Sequence, residues 1–250
     1  MKKRTAIIFI AVAVCLALVI GAVKRIGYAD GDRYAAGNAR ISDEVKAIDI
    51  NWVSGKVSVA AYDGDEILLT EEADRQLPEE KQMHWLLDGD TLRVQYTGPR
   101  VFRMNNAHKE LTVLLPEDLL LDEVNINVVS AGLDIEDLSA EVLHINTVSG
   151  QVRAECSRVE EAKANSVSGG VHLLFERAPG KIKADSVSGS LKISLPGDAG
   201  FEAEMDSVSG RVNSSFDLER KDDDTYVYGN GRCCIDANTV SGSLTLDELR

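Results

Sequence analysis

Along most of this chain apolar and polar residues alternate one for one, and the alternation is punctuated by a recurring word, Val-Ser-Gly. Two positions after the word's Gly stand Val57, Val152, Val171, Leu191, Val212 and Leu244, and four positions after it stand Val59, Ala154, Leu173, Ile193, Ser214 and Leu246. Before the word, Ile48 and Ile50, Val124 and Ile126, Leu143 and Ile145, Ile182 and Ala184, and Ile235 and Ala237 alternate in the same way. A period of two is that of a strand with one buried face. Each repeat therefore reads as two short strands that meet at the word.

The word begins at Val53, Val148, Val167, Val187, Val208 and Val240, with a variant at Val129-Ser130-Ala131-Gly132. From Val129 onward the steps are 19, 19, 20, 21 and 32 residues. Such a period marks one coil of a repeat architecture rather than a string of globular domains. The expected fold is all-β, a single-stranded parallel β-helix or β-solenoid of about 20 residues per coil.

Asn or Asp stands two residues before each Val of the word: Asn51, Asn127, Asn146, Asn165, Asp185, Asp206 and Asn238. The corner glycines are Gly55, Gly150, Gly169, Gly189, Gly210 and Gly242. Gly permits the angles of a tight bend, and Asn, Asp and Ser bond to nearby backbone amides there. Equivalent residues of neighbouring coils lie about 4.8 Å apart, so the Asn and Asp side chains are expected to stack into a turn ladder along the axis. Its uniformity points to a structural role rather than a ligand stripe.

Between Val57 and Val124 the word is missing, yet Leu111-Thr112-Val113-Leu114-Leu115-Pro116 matches Leu191-Lys192-Ile193-Ser194-Leu195-Pro196. Residues 45–124 are expected to be degenerate coils or a cap, and residues 125–250 regular coils. The last step is about 12 residues too long, and the excess maps to residues 217–232. Insertions leave a solenoid from one face, so Asp222, Asp223, Asp224, Tyr226 and Tyr228 form the candidate partner-binding loop.

Residues 6–23 break the pattern, being all apolar or Gly. As a helix they would extend about 27 Å, enough to cross a hydrocarbon core. The organisation expected is a cytoplasmic N-terminus (1–5), a transmembrane signal anchor (6–23), a stalk (24–44) and the solenoid (45–250). Lys2, Lys3 and Arg4 precede the run, which keeps the N-terminus cytoplasmic and places the C-terminal domain outside a single-pass cell membrane protein. The alternative is a signal peptide cleaved near Gly27-Tyr28-Ala29, which would release a secreted protein.

Charge narrows the partners. The chain has 41 Asp and Glu against 27 Lys and Arg, a net charge of −14. An acidic body repels nucleic acid and anionic lipid heads, so contact with the membrane is expected only through the N-terminal helix. Cys156, Cys233 and Cys234 are an odd set outside the anchor, and a ring between the adjacent pair would be strained. His84, His108, His144 and His172 lack metal-ligand spacing. No phosphate-binding Gly-rich loop or nucleophile elbow occurs, and a Ser repeated in every word is a turn residue. Asp134 and Glu136, one coil before Arg153 and Glu155, raise the possibility of glycan cleavage, but Gly170, His172 and Leu174 break that cluster in the next coil. No cofactor, metal or catalytic residue is expected.

The words preceded by Asn or Asp, the opening Val45-x-x-Ile48-x-Ile50 and the segment Leu111 to Pro116 together resemble a bacterial β-strand-repeat family of unknown function labelled "putative adhesin", similar to the heads of some auto-transporter adhesins. The resemblance spans about residues 45–250. It implies a β-solenoid, usually without known enzymatic activity, in proteins some of which are associated with the cell envelope and its stress responses. Ten coils would rise only about 50 Å, a short reach for gripping another cell, which favours a binding or scaffold role toward a protein or glycan of the envelope. Two alternatives are a glycan-active enzyme on the same fold and a module that self-assembles through open ends. Against the latter, Glu248 and Arg250 charge the last strand.

Overall fold

The structure is a computed structural model describing residues 33–98, 107–222 and 224–249. Its N-terminal part contains β1 (Ala35–Ala36), β2 (Ala39–Ile41), β3 (Ala47–Tyr62), β4 (Ile67–Ala73), β5 (His84–Asp88), β6 (Thr91–Gln95) and β7 (Lys109–Pro116). The repeats follow as β8 (Leu121–Thr147), β9 (Val152–Ser166), β10 (Val171–Phe175), β11 (Lys181–Ser186), β12 (Leu191–Leu195), β13 (Phe201–Ser207) and β14 (Val212–Ser214). The chain ends with β15 (Glu219–Arg220), β16 (Thr225–Tyr228), β17 (Cys233–Thr239) and β18 (Leu244–Glu248). One 3-10 turn, Glu79–Lys81, is the only helical element longer than one residue among the described residues.

Segments before the corner build a first sheet and segments after it a second. The second sheet runs β2, β4, β7, the end of β3, the middle of β8, the start of β9, β10, β12, β18 and β14. In the first, β1, β5 and β6 lead into the start of β3 and of β8. Val148 and Ser149 then donate to the carbonyls of Val128 and Val129, carrying the stack to the last third of β8. The end of β9, β11, β17, β13, β16 and β15 complete this sheet. Pairing between coils is parallel, because every coil winds round the core in the same direction.

Period-two alternation fills the space between the sheets. Val57, Leu133, Val152, Val171, Leu191 and Leu244 form one buried column, each at most 3% exposed. Burying an aliphatic side chain of this size contributes roughly 1.5–3 kcal/mol, so each coil stabilises the stack with several such terms.

Residues 45–124 hold five strands besides the start of β8. Strands β6 and β7 both run parallel to β3 and form a coil without the word. Antiparallel β5 and β1 extend it on one side, and β4 and β2 on the other.

Two expectations are corrected. Among the described residues no helix is long and apolar enough to cross a membrane, and the run 6–23 lies outside them. The expected all-β fold with a transmembrane helix, and the single-pass localisation built on it, become an all-β solenoid with no membrane-crossing helix among its described residues.

The second correction concerns coil order. The C-terminal coil, β17 and β18, lies between the β11–β12 coil and the β13–β14 coil, not after both. The long last step is thus no simple insertion. After β14 the chain passes the end of the stack, adds β16 antiparallel to β13, and crosses over to insert β17 on β13's other edge. The crossing is close: a Cβ on Gly200 would lie 2.5 Å from the Asn230 nitrogen. Gly229 and Gly231 supply φ of 61° and 65° for the turn. Glu248 therefore belongs to an internal strand, and β14 is the terminal one.

Candidate functional site

The corner residues stand in columns, in the spatial order of the coils. Asn127 Nδ2 donates to Asn51 Oδ1 at 3.1 Å, Asn146 to Asn127 at 2.9 Å, and Asn165 to Asn146 at 2.8 Å. Asp185 has no proton to donate, and the amide run stops there. Asn238 from the intercalated coil donates to Asp185 Oδ1 at 3.0 Å and to Asp236 Oδ1 at 2.6 Å. Asp206 is in register beyond it.

Stacking in chain order would have set Asp185 beside Asp206, and like charges directly opposite on a sheet repel. Asn238 separates them. Asn238→Asp would put three carboxylates in succession and is expected to cost about 1–3 kcal/mol. Urea unfolding measures this, and an unchanged midpoint would show that the column tolerates the charge.

Further columns use the remaining polar groups of the word. The word's own Ser donates to the Val carbonyl of the adjacent coil, as Ser149 does to Val129 at 3.3 Å, Ser168 to Val148 at 3.2 Å and Ser209 to Val240 at 3.2 Å. The residue before the Val was not singled out from sequence, yet it closes the turn. Thr147, Ser186, Ser207 and Thr239 accept from the N–H of Gly150, Gly189, Gly210 and Gly242 at 2.7–3.1 Å. Its signal was present as a small hydroxyl side chain at this place in five of the seven words.

The glycines form their own column. A Cβ at Gly150, Gly169, Gly189, Gly242 or Gly210 would fall 1.7–2.0 Å from the carbonyl oxygen of the corner residue in the preceding coil. At Gly55 the φ is 94°, and the oxygen beneath it belongs to Lys109.

Lys109 thus occupies the corner position of the wordless coil, where Gln95 takes the place of Asn51's equivalent. Its fully buried ammonium donates to the carbonyls of Lys81, at 2.9 Å, and of Tyr96, and forms an ion pair with Glu71. The Tyr96 ring centroid is 4.2 Å away and that of Trp52 5.1 Å. Glu71 Oε2 accepts from the Met83 N–H at 2.9 Å. Burial pulls the Lys109 pKa below the ordinary lysine value, with Glu71 opposing the shift.

The candidate partner-binding residues lie in the end structure. Tyr226 and Tyr228 pair opposite Ala203 and Phe201. The Tyr228 ring lies 4.8 Å from Phe216 and 5.5 Å from Phe201, and its hydroxyl donates to Gly197 O at 3.0 Å. Both tyrosines are half-buried and pack against the core. Asp222 N–H donates to Thr225 O, and Asp224 O accepts from Met205 N–H, so both serve the hairpin; Asp223 lies outside the described residues. What the end leaves uncovered is β14: Val212, on the core-facing column, is 36% exposed and Val208 is 55% exposed.

Among the described residues, an outer face carries a nucleophile–base pair. His172 Nε2 lies 3.0 Å from Ser194 Oγ, while burial, followed by the charges of Lys192 and Arg153, lowers the His172 pKa to about 4. Asp247, whose charge opposes the shift, is held by Lys192 at 2.9 Å. The imidazole is therefore neutral and flanked by cations, a poor arrangement for the imidazolium that acyl transfer would create. Arg153 pairs with Glu155 at 2.9 Å, and Lys56 lies 3.7 Å from Asp134, so these carboxylates have cationic partners. The Cys156 and Cys233 thiols are buried and pushed up to about 12, and Cys234 is exposed. Among the described residues no group of three His, Cys, Asp or Glu is placed to hold a metal ion.

Comparison with known proteins agrees with the coil geometry. A crystallised protein described as a putative cell adhesion protein from Clostridium sporogenes shares the fold: 14% identity, 86% of this chain and 100% of that one covered, TM-score 0.55. A putative adhesin from Bacteroides fragilis is 12% identical over 85% of this chain and 96% of its own, with a TM-score of 0.36. A putative lipid binding protein from Parabacteroides distasonis is 14% identical over 87% of this chain and 97% of its own, with a TM-score of 0.32. No curated protein matches the chain. The Toastrack DUF4097 family model matches twice, over residues 45–173 and 118–247. With its repeats stacked as described and nearly the whole solenoid spanned by those two matches, the chain belongs to the Toastrack DUF4097 family.

Proposed function

We propose that this chain is a non-enzymatic binding or scaffold module, adhesin-like, that engages a protein or glycan of the bacterial cell envelope. One observation carries the reading: the repeated polar side chains are consumed in joining coil to coil. Amides bond to the next amide, and the word's serines to the next carbonyl. What remains is a stiff body with two broad sheet faces and unlike ends, which suits recognition better than turnover. The fold shared with the Clostridium protein is consistent with this.

The test is retention of purified envelope glycans and of envelope proteins on the immobilised full chain. Saturable retention with glycan chain length unchanged over hours is the expected result. New reducing ends accumulating with time would replace this reading with that of a glycan-active enzyme.

A further inference from the structure

We infer that β14 is a docking strand, and that a basic, extended polypeptide adds to it at the open edge of the second sheet. This rests on the binding-module reading and gives it a place and a ligand class.

The two sheets end differently. Beyond β13 the first sheet continues with β16 and β15, whereas among the described residues β14 pairs with β18 alone. Arg211 O accepts from Leu244 N–H at 2.8 Å and Ser215 N–H donates to Leu246 O at 3.0 Å. Peptide groups in a parallel ladder alternate sides, so those of Val212 and Ser214 turn away from β18 toward the empty edge. Sheet edges are usually blunted by Lys, Pro or a bulge, and Val212-Asn213-Ser214 has none of these. The side chain beside that edge is apolar and exposed, although its column is buried in every other coil with an aliphatic residue there.

Charge selects the occupant. Residues 201–222 and 224, which build this end, carry seven Asp and Glu against three Lys and Arg. A cationic strand is attracted to such a field, while a second copy would present the same charge and be repelled. Strand addition supplies main-chain hydrogen bonds, and the exposed Val212 supplies an apolar contact for an alternate side chain. With so short an edge the gain is about four hydrogen bonds, and the affinity is modest.

The experiment titrates the full chain against a fluorescein-labelled decapeptide of alternating Lys and Val. Controls are its Glu-for-Lys counterpart and a version N-methylated at every residue, which keeps charge and side chains but has no N–H to donate along either edge. The Lys-Val peptide is expected to bind, more weakly as salt rises, and to protect the Val212 and Ser214 amides from hydrogen exchange. Both controls should bind at least tenfold more weakly. Val212→Pro removes an outward N–H without touching the β18 ladder and should cause a similar loss, since proline is tolerated on edge strands.

Equal binding of the N-methylated peptide, or protection elsewhere, overturns the proposal without reliance on any variant. So does a dimer abolished by Val212→Pro, which would give the edge to a second copy. If the Lys-Val peptide does not bind while envelope fractions are still retained, strand addition is rejected and the binding module stands; loss of both removes both.

Discussion

Gly169→Ala is expected to destabilise the solenoid by about 3 kcal/mol or more, at the upper end of what overpacking a core costs. The added methyl would sit 1.8 Å from the Gly150 carbonyl oxygen and 2.8 Å from its carbon. Neither is the tip of a flexible side chain. Both belong to the backbone of the next coil, whose distance is held by parallel ladders on either side of the corner. Relief would require opening the stack itself, so the strain spreads into hydrogen bonds of both sheets. Gly132→Ala is the control within the same chain. Its Cβ would meet only Gln151 O at 4.0 Å, and its φ is not positive. That substitution should be neutral or slightly stabilising, because it restricts the unfolded chain. Urea midpoints for the two variants, compared with the parent, measure the contrast. Equal stability of the two variants would mean that coils at this corner move apart freely.

The control also shows how the word can mislead. In Val129-Ser130-Ala131-Gly132 the visible glycine is Gly132, yet Ala131 stands in register with Gly55. Two-residue alternation and the period were enough to place most strands, since each buried column repeats the same parity. Coil order was not legible from spacing. A passage around the stack end and an insertion lengthen a step equally. The signals lay in chemistry: Asp185 and Asp206 would clash as neighbours, while Asn238, a donor, waits 32 residues beyond the latter. Gly200, Gly229 and Gly231 marked the crossing.

The aromatic hairpin lies against the end of the first sheet. In Tyr226-Val227-Tyr228 both rings share one parity and pack half-buried against the core, Tyr228 against Phe201 and Phe216. The residues that leave the repeat close an end of the stack, and exposed apolar surface appears beside them at Val208 and Val212. The wordless coil hid its corner as well. Lys109 has the same parity as Leu111, Val113 and Leu115, and a lysine on the buried side of a strand was the available sign of a buried ion pair.

That pair gives the second large effect. Lys109→Met is expected to cost about 3–5 kcal/mol, the range for removing one partner of a buried salt bridge. Met fills much the same volume, so the loss reports on charge rather than on a cavity. The Glu71 side chain is only 7% exposed and would be left with the Met83 N–H as its remaining support. The carbonyls of Lys81 and Tyr96 would lose their donor as well. Lys109→Met with Glu71→Leu should recover much of the stability, because an apolar pair avoids the desolvation that the ion pair suffers. Denaturation of the parent, both single variants and the double variant forms a cycle whose coupling measures the interaction. Additive losses would place the stability of this end in the aromatic packing of Trp52 and Tyr96, whose rings meet edge-on at 4.9 Å, and not in the charge pair. A strong coupling would instead make Lys109 the polar substitute for a glycine corner, anchoring the coil on which the regular stack is built.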